Sequence, residues 1–224
     1  MKLTMKLTMK HTDRARRAFV RLRGATASAA ALALLSACTI LPKAEPLDVY
    51  LLPAEQASAQ GTGARADAAS MPVSLRIARP AAGVHLAGQR IVVLPEDNRV
   101  SIYKGAGWSD PAPILVRNRL LDAFRADGRI AALSTDERRL HADFEIDSDL
   151  RAFQSEYRDG RPEVVVRLDV RLYRPDTQRI VASQRFEFRQ AATDTAVPAV
   201  VQAFGQASDA LALAVVEWAV AAMR

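Results

Sequence analysis

Few side chains in this sequence have types and spacing that suggest chemistry. Cys38 is the only cysteine in 224 residues. A thiol can act as a nucleophile, a metal ligand or a redox partner, and it can also accept lipid. Asp143, Glu145, Asp147 and Asp149 recur at a spacing of two, which on a strand projects all four carboxylates from one face. Such a row can hold a cation or supply half of a glycosidase pair. It can equally be a solvated face opposed by arginine, and Arg167 and Arg171 lie on a candidate neighbouring strand. His85 and His141 are the histidines that follow Cys38, and neither sits in an HExxH pattern or beside a second ligand at metal spacing. Tyr103, Trp108 and Tyr157 form an aromatic group. Tyr103 and Trp108 belong to "YKGAGWSDP", which reads as a glycine-interrupted loop leading into a helix. Such a loop is either a contact surface or a place where Trp108 plugs the end of a sheet. G-x-S-x-G, Walker A and G-x-G-x-x-G patterns are missing, and "GTGARA" at 61–66 lacks the strand-then-helix context of a phosphate site. The expectation is a chain with no catalytic residues, no metal site and no cofactor.

The environment of Cys38 selects among the roles of the thiol. Residues 14–23, "RARRAFVRLR", are strongly basic, and "GATASAAALALLSA" after them is uncharged and ends in Ala and Leu. These are the charged and apolar regions of a secretory signal. The apolar run of about a dozen residues is shorter than the ~20 needed to span a bilayer core. Leu35, Ser36 and Ala37 then precede Cys38 in the pattern of a bacterial lipobox: a leucine, two small residues and the cysteine. The small side chains suit a signal peptidase, the sulfur takes a diacylglyceryl group as a thioether, and cleavage frees an amine for a further acyl chain. Two or three chains, at about 0.8 kcal/mol per buried CH₂, anchor stably where one does not. Thr39 is not the Asp that favours inner-membrane retention in the Gram-negative sorting rule, so the outer membrane is expected. "MKLTMKLTMK" offers Met1, Met5 and Met9 as starts.

The position of the charge excludes a nucleic-acid reading of the net +6. Eight Lys or Arg precede Cys38 against the single acid Asp13, which leaves 23 basic and 24 acidic residues from Cys38 onward, a net −1. The basicity belongs to the leader.

Stepping along the remainder, 1–37 reads as the lipoprotein signal peptide, 38–46 as a tether and 47–224 as one domain, with a flexible low-complexity loop at 54–71. Leu47, Val49 and Leu51 alternate as a first strand. "VSLRIAR", "RIVVLP" and "NRVSIYK" follow as strands, the last with Val100 and Ile102 on one face. Val116, Leu120 and Phe124 recur at helical spacing, with Ser109 or Asp110 as cap, Pro111 in the first turn and Gly128 as the stop. "RIAAL" and "HADFEIDSDLRAF" return to strand. Val164, Val166, Leu168, Val170 and Leu172 alternate strongly, and with Ile180, Ala182, Phe186 and Phe188 they predict an antiparallel hairpin. From Thr195 to Arg224 a stripe of Val197, Val201, Phe204, Ser208, Leu211, Val215, Trp218 and Ala222 predicts a helix of some seven turns. That helix packs on the sheet or pairs with a second copy in a homo-oligomer. Gln202, Gln206, Asp209 and Glu217 interrupt it as a membrane span. The expected fold is α/β (α+β): a mixed, largely antiparallel sheet with two main amphipathic helices packed on one face.

The lipobox with a nearby "VYLL", followed by "IARPAAGVHLAGQRIVVLPEDNRVSIYKGAGWSDPAPILVRNRLLDAFRADGRI" and "ADFEIDSDLRAF", resembles the ABC-type transport auxiliary lipoproteins, which include the paraquat-inducible protein C-like proteins. Tyr103, Trp108, Asp110 and Pro111 match the family's Tyr…Trp-x-Asp-Pro stretch ahead of its first helix. The similarity spans most of residues 47–220, and the long loop at 54–71 departs from the pattern. The resemblance implies a non-catalytic periplasmic domain tethered to the outer membrane. It also implies an ABC permease, an ATPase and an MCE-domain protein as partners in moving lipid between membranes. The competing readings are an envelope scaffolding lipoprotein of another outer-membrane machine, and a lipid-modifying hydrolase for which the sequence offers no nucleophile and base. Changing Cys38→Ala is expected to block acylation, and globomycin to accumulate an unprocessed precursor. Immunoblotting of membrane fractions checks both, and normal processing in either refutes the anchor.

Overall fold

The computed structural model describes residues 46–54, 70–95, 99–138 and 140–224. The signal peptide, the lipobox with Cys38, and the 54–71 loop from 55 to 69 lie outside these residues. The strands are β1 (Asp48–Tyr50), β2 (Met71–Ile77), β3 (Ala81–Ala82), β4 (Arg90–Leu94), β5 (Ser101–Trp108), β6 (Ile130–Thr135), β7 (Phe144–Arg158), β8 (Arg161–Arg174) and β9 (Arg179–Ala191). The helices are α1 (Ala112–Asp127) and α2 (Val197–Ala222), with a 3-10 turn at Asp136–Arg138.

All nine strands join one mixed sheet. The long ladders, β7 with β8 and β8 with β9, are antiparallel. β2, β3 and β4 follow one another along the other edge of β7, all parallel to it, at Phe144–Ile146, Asp149–Leu150 and Gln154–Glu156. Residues 75–94 thus behave as one interrupted strand. β6 adds to β2 in parallel, β5 to β4 antiparallel, and β1 to β5 in parallel.

The period-two pattern of β8 sets the inner face. Val164, Val166, Leu168, Val170 and Leu172 are all essentially inaccessible, each contributing about 1.5–3 kcal/mol of apolar burial. α2 covers them. Its stripe of Val201, Phe204, Ser208, Leu211 and Val215 is buried, and Trp218 packs edge-on against Phe186 at 5.7 Å. By length and composition α2 could cross a membrane, but 61% of its most apolar window is buried inside the domain. α1 lies beside α2 and ends at Gly128, whose φ of 76° is the left-handed conformation that halts a helix. Neither Ser109 nor Asp110 caps α1. Pro111 occupies the N-cap, its carbonyl accepts from the amides of Ile114 and Leu115, and Ser109 donates instead to Asp110.

Three expectations about the strands also change. β1 forms, but Leu47, Val49 and Leu51 face solvent while Tyr50 and Leu52 pack on the core. "YKGAGWSDP" is strand β5 as far as Trp108, not a loop, because its glycines open a bulge that keeps the chain paired with β4. Ile180, assigned to the inner face of β9, is 56% exposed, because a register shift after the Leu172–Ala182 pair sets it opposite outward-facing Tyr173.

The outer face is charged, and each carboxylate of the acidic row finds a hydrogen-bond partner there. Arg171 bridges Asp147 and Asp149, Arg76 pairs with Glu145, and Ser74 donates to Asp143. Arg167 reaches across to Glu187 rather than to the acidic row, and Arg185 holds Asp169. Hydrogen bonds from Ser74, Arg185 and Arg167 hold the carboxyls of Asp143, Asp169 and Glu187 respectively below the usual carboxylate range. A depressed folded-state pKa gives stability that is present above the unfolded value, near 4, and lost as pH falls through the folded value. Urea midpoints are therefore expected to hold from neutrality to about pH 5 and to fall below about pH 4. A midpoint that rises on acidification would contradict the sign.

Candidate functional site

Tyr103 and Trp108 are five residues apart, so regular pleating would send them to opposite faces. The bulge changes the parity. Gly105 adopts φ 66°, a conformation that disfavours any side chain, and extra β5 residues are taken up between the Val92–Ile102 and Arg90–Gly107 pairs. Both aromatics consequently turn inward over β7. Tyr103 donates to Ser155 at 3.2 Å. Burial, opposed in part by that hydrogen bond, raises its phenol above the ordinary tyrosine range.

Trp108 is 2% exposed. Its ring meets Phe153 of β7 at 5.7 Å and Phe204 of α2 at 5.1 Å edge-on, while Phe153 and Phe204 lie 4.7 Å apart. The indole N–H finds no acceptor among the described residues. In this conformation Trp108 joins sheet to helix and presents no surface to a partner. Tyr157, on β7 like Ser155, also lies beside Tyr103. Asp110 is exposed and Pro111 half-buried at the start of α1.

The backbone around this node ties the N-terminal strand to the helices. Trp108 N–H donates to the Gln89 carbonyl, Ser109 N–H to the Tyr50 carbonyl and the Gln89 side chain to the Ser109 carbonyl. From α1, Arg119 pairs with Asp209 of α2 and donates to the carbonyls of Leu52 at 3.1 Å and Pro53 at 2.5 Å. α2 passes so close to Pro53 that a Cβ on Gly205 would lie 2.6 Å from its carbonyl oxygen. Sequence reasoning missed this clamp. The signal for it was the isolated glycine in "QAFGQAS", since a glycine inside an apolar helix marks a close approach.

Among the described residues no group of three or more His, Cys, Asp and Glu is placed to hold a metal ion. His85 and His141 are both exposed.

The family model for the ABC-type transport auxiliary lipoprotein component matches residues 50–216. That span runs from β1 to the last third of α2 and includes the whole aromatic node. The chain belongs to this family. Family membership makes it a lipoprotein component of an ABC-type transport system. A crystal structure of a Xanthomonas campestris protein, described by the DUF330 family model, superposes with a TM-score of 0.67 at 26% identity, covering 79% of this chain and 96% of that one. A second crystal structure, of an uncharacterised protein, shares the fold with a TM-score of 0.60 at 17% identity, covering 78% of this chain and 99% of that one. No curated protein matches the chain.

Replacing Trp108→Ala is expected to destabilise the auxiliary-lipoprotein domain by about 3–5 kcal/mol. Trp108→Phe, which keeps a ring and removes the unpaired N–H, should cost far less. Urea denaturation measures both, and equal losses would contradict the packing role.

Proposed function

We propose that this lipoprotein is held on the periplasmic side of the outer membrane by acylated Cys38. There it serves as a non-catalytic docking component of an ABC/MCE-type lipid transport system. The observation that carries the reading is the order of parts in one chain: a lipobox, a tether of 38–46, and a domain matching the transport auxiliary family from residue 50. Thr39 supports the outer-membrane assignment. The charged groups support the lack of catalysis, because the carboxylates that resembled half of a glycosidase pair are engaged by Arg76 and Arg171.

In this reading the lipid fixes one end of a transport path, and the domain surface receives an MCE-domain protein that works with the permease and ATPase. Lipid would pass between the membranes through its partners. The role of the domain is placement, and its rigidity follows from the aromatic node and the Arg119 clamp.

Affinity purification of the tagged full chain from gently solubilised membranes should recover an MCE-domain protein, identified by mass spectrometry. Repeated recovery without one would count against the reading. Esterase turnover abolished by one Ser or Asp substitution would replace it with a hydrolase.

A further inference from the structure

The outer face of the sheet changes character toward β1. Over β7, β8 and β9 it is a lattice of ion pairs, whereas at the β1–β5 corner it is apolar. Leu47, Val49 and Leu51 are 53%, 60% and 75% exposed, and at the far end of β5 Val100 and Ile102 are 50% and 38% exposed. Tyr103 and Trp108 turn inward, so Ile102 and Gly107 face out. The Leu47 side chain lies over Gly107, 3.7 Å from where a Cβ would stand. Because Gly107 contributes no side chain, these aliphatic groups form the surface. Scattered exposed aliphatics are ordinary, but three in alternation along β1 and its flanking residues, on the face where Gly107 of the neighbouring strand carries no side chain, make a patch.

We infer that this patch is a membrane-contact surface, and that its occupant is the phospholipid interface in which the acylated Cys38 sits. The inference rests on the anchor reading above. Leu47 is nine residues from Cys38, so even a fully extended tether keeps the patch within about 30 Å of the anchored residue. The patch therefore lies at the end of the domain where the tether enters. Arg90, opposite Gly107 in the β4–β5 register, and Lys104 are exposed beside it. They supply cations for phosphate headgroups. Asp48, on the opposite side of β1, is the acid nearest in sequence.

The test uses the lipidated full chain in phosphatidylethanolamine–phosphatidylglycerol vesicles. Cys38 carries lipid, so a fluorophore attaches only to an introduced thiol, from Val49→Cys or Leu51→Cys at the patch and from Leu213→Cys on the exposed face of α2. Doxyl-labelled phospholipid is expected to quench the labels at 49 and 51 and to leave the label at 213 unquenched. Vesicles that float with the protein while all three labels stay equally unquenched would overturn the inference and leave the anchor standing. So would patch labels shielded from water but not quenched by lipid, which would identify a protein cover. Failure of the protein to float with the vesicles would remove the anchor reading, and this inference with it.

Discussion

Both edges of β7 are hydrogen bonded along most of their length, and the other elements take their places from that constraint. β8 occupies one edge from Glu145 to Arg158. The other edge is shared in succession by β2, β3 and β4. A strand this long leaves many backbone donors and acceptors to satisfy, and three short segments in file do so where one long partner is missing. The break between β3 and β4 sends the chain through residues 83–89. From that excursion the carbonyls of Gly88 and Gln89 accept from the amides of Ala112 and Trp108.

That geometry explains why Trp108 is central. It lies at the end of β5, where strand passes to helix, and it meets one aromatic from the spine and one from α2. The Arg119–Asp209 pair fixes the two helices to each other and to the segment leaving β1. A transport auxiliary protein built this way holds its own surfaces at fixed positions relative to one another, which suits a component whose proposed work is docking.

The sequence was most informative where one residue type repeats in register with a regular element. The alternation from Val164 to Leu172 located β8 and its buried face. The stripe from Val197 to Ala222 located α2, and Gly128 located the end of α1. The acidic row was correctly opposed by Arg171, since cross-strand neighbours follow from the hairpin pattern. Where the outcome depends on distant chain, the residues misled. In β1 either alternating set could have been the inner one, and contact with the helices selected Tyr50 and Leu52. The glycines of β5 looked like a loop because their function is a bulge, visible only once β4 lies alongside. Arg119, Asp209 and Pro53 are far apart in the chain, and no local periodicity connects them. The role of Tyr103 and Trp108 was left open between contact surface and plug, and burial places Trp108 inside.

β1 runs parallel to β5 and receives the tether at its first residue. A pull on the proposed tether would thus be met first by the three β1–β5 register pairs, Asp48–Ala106, Val49–Gly107 and Tyr50–Trp108. Behind this short ladder stands the grip of Arg119 on Leu52 and Pro53, which passes the load to both helices. The first strand of the domain is thus secured twice, once by its ladder to β5 and once by an arginine of α1 that is itself paired to α2.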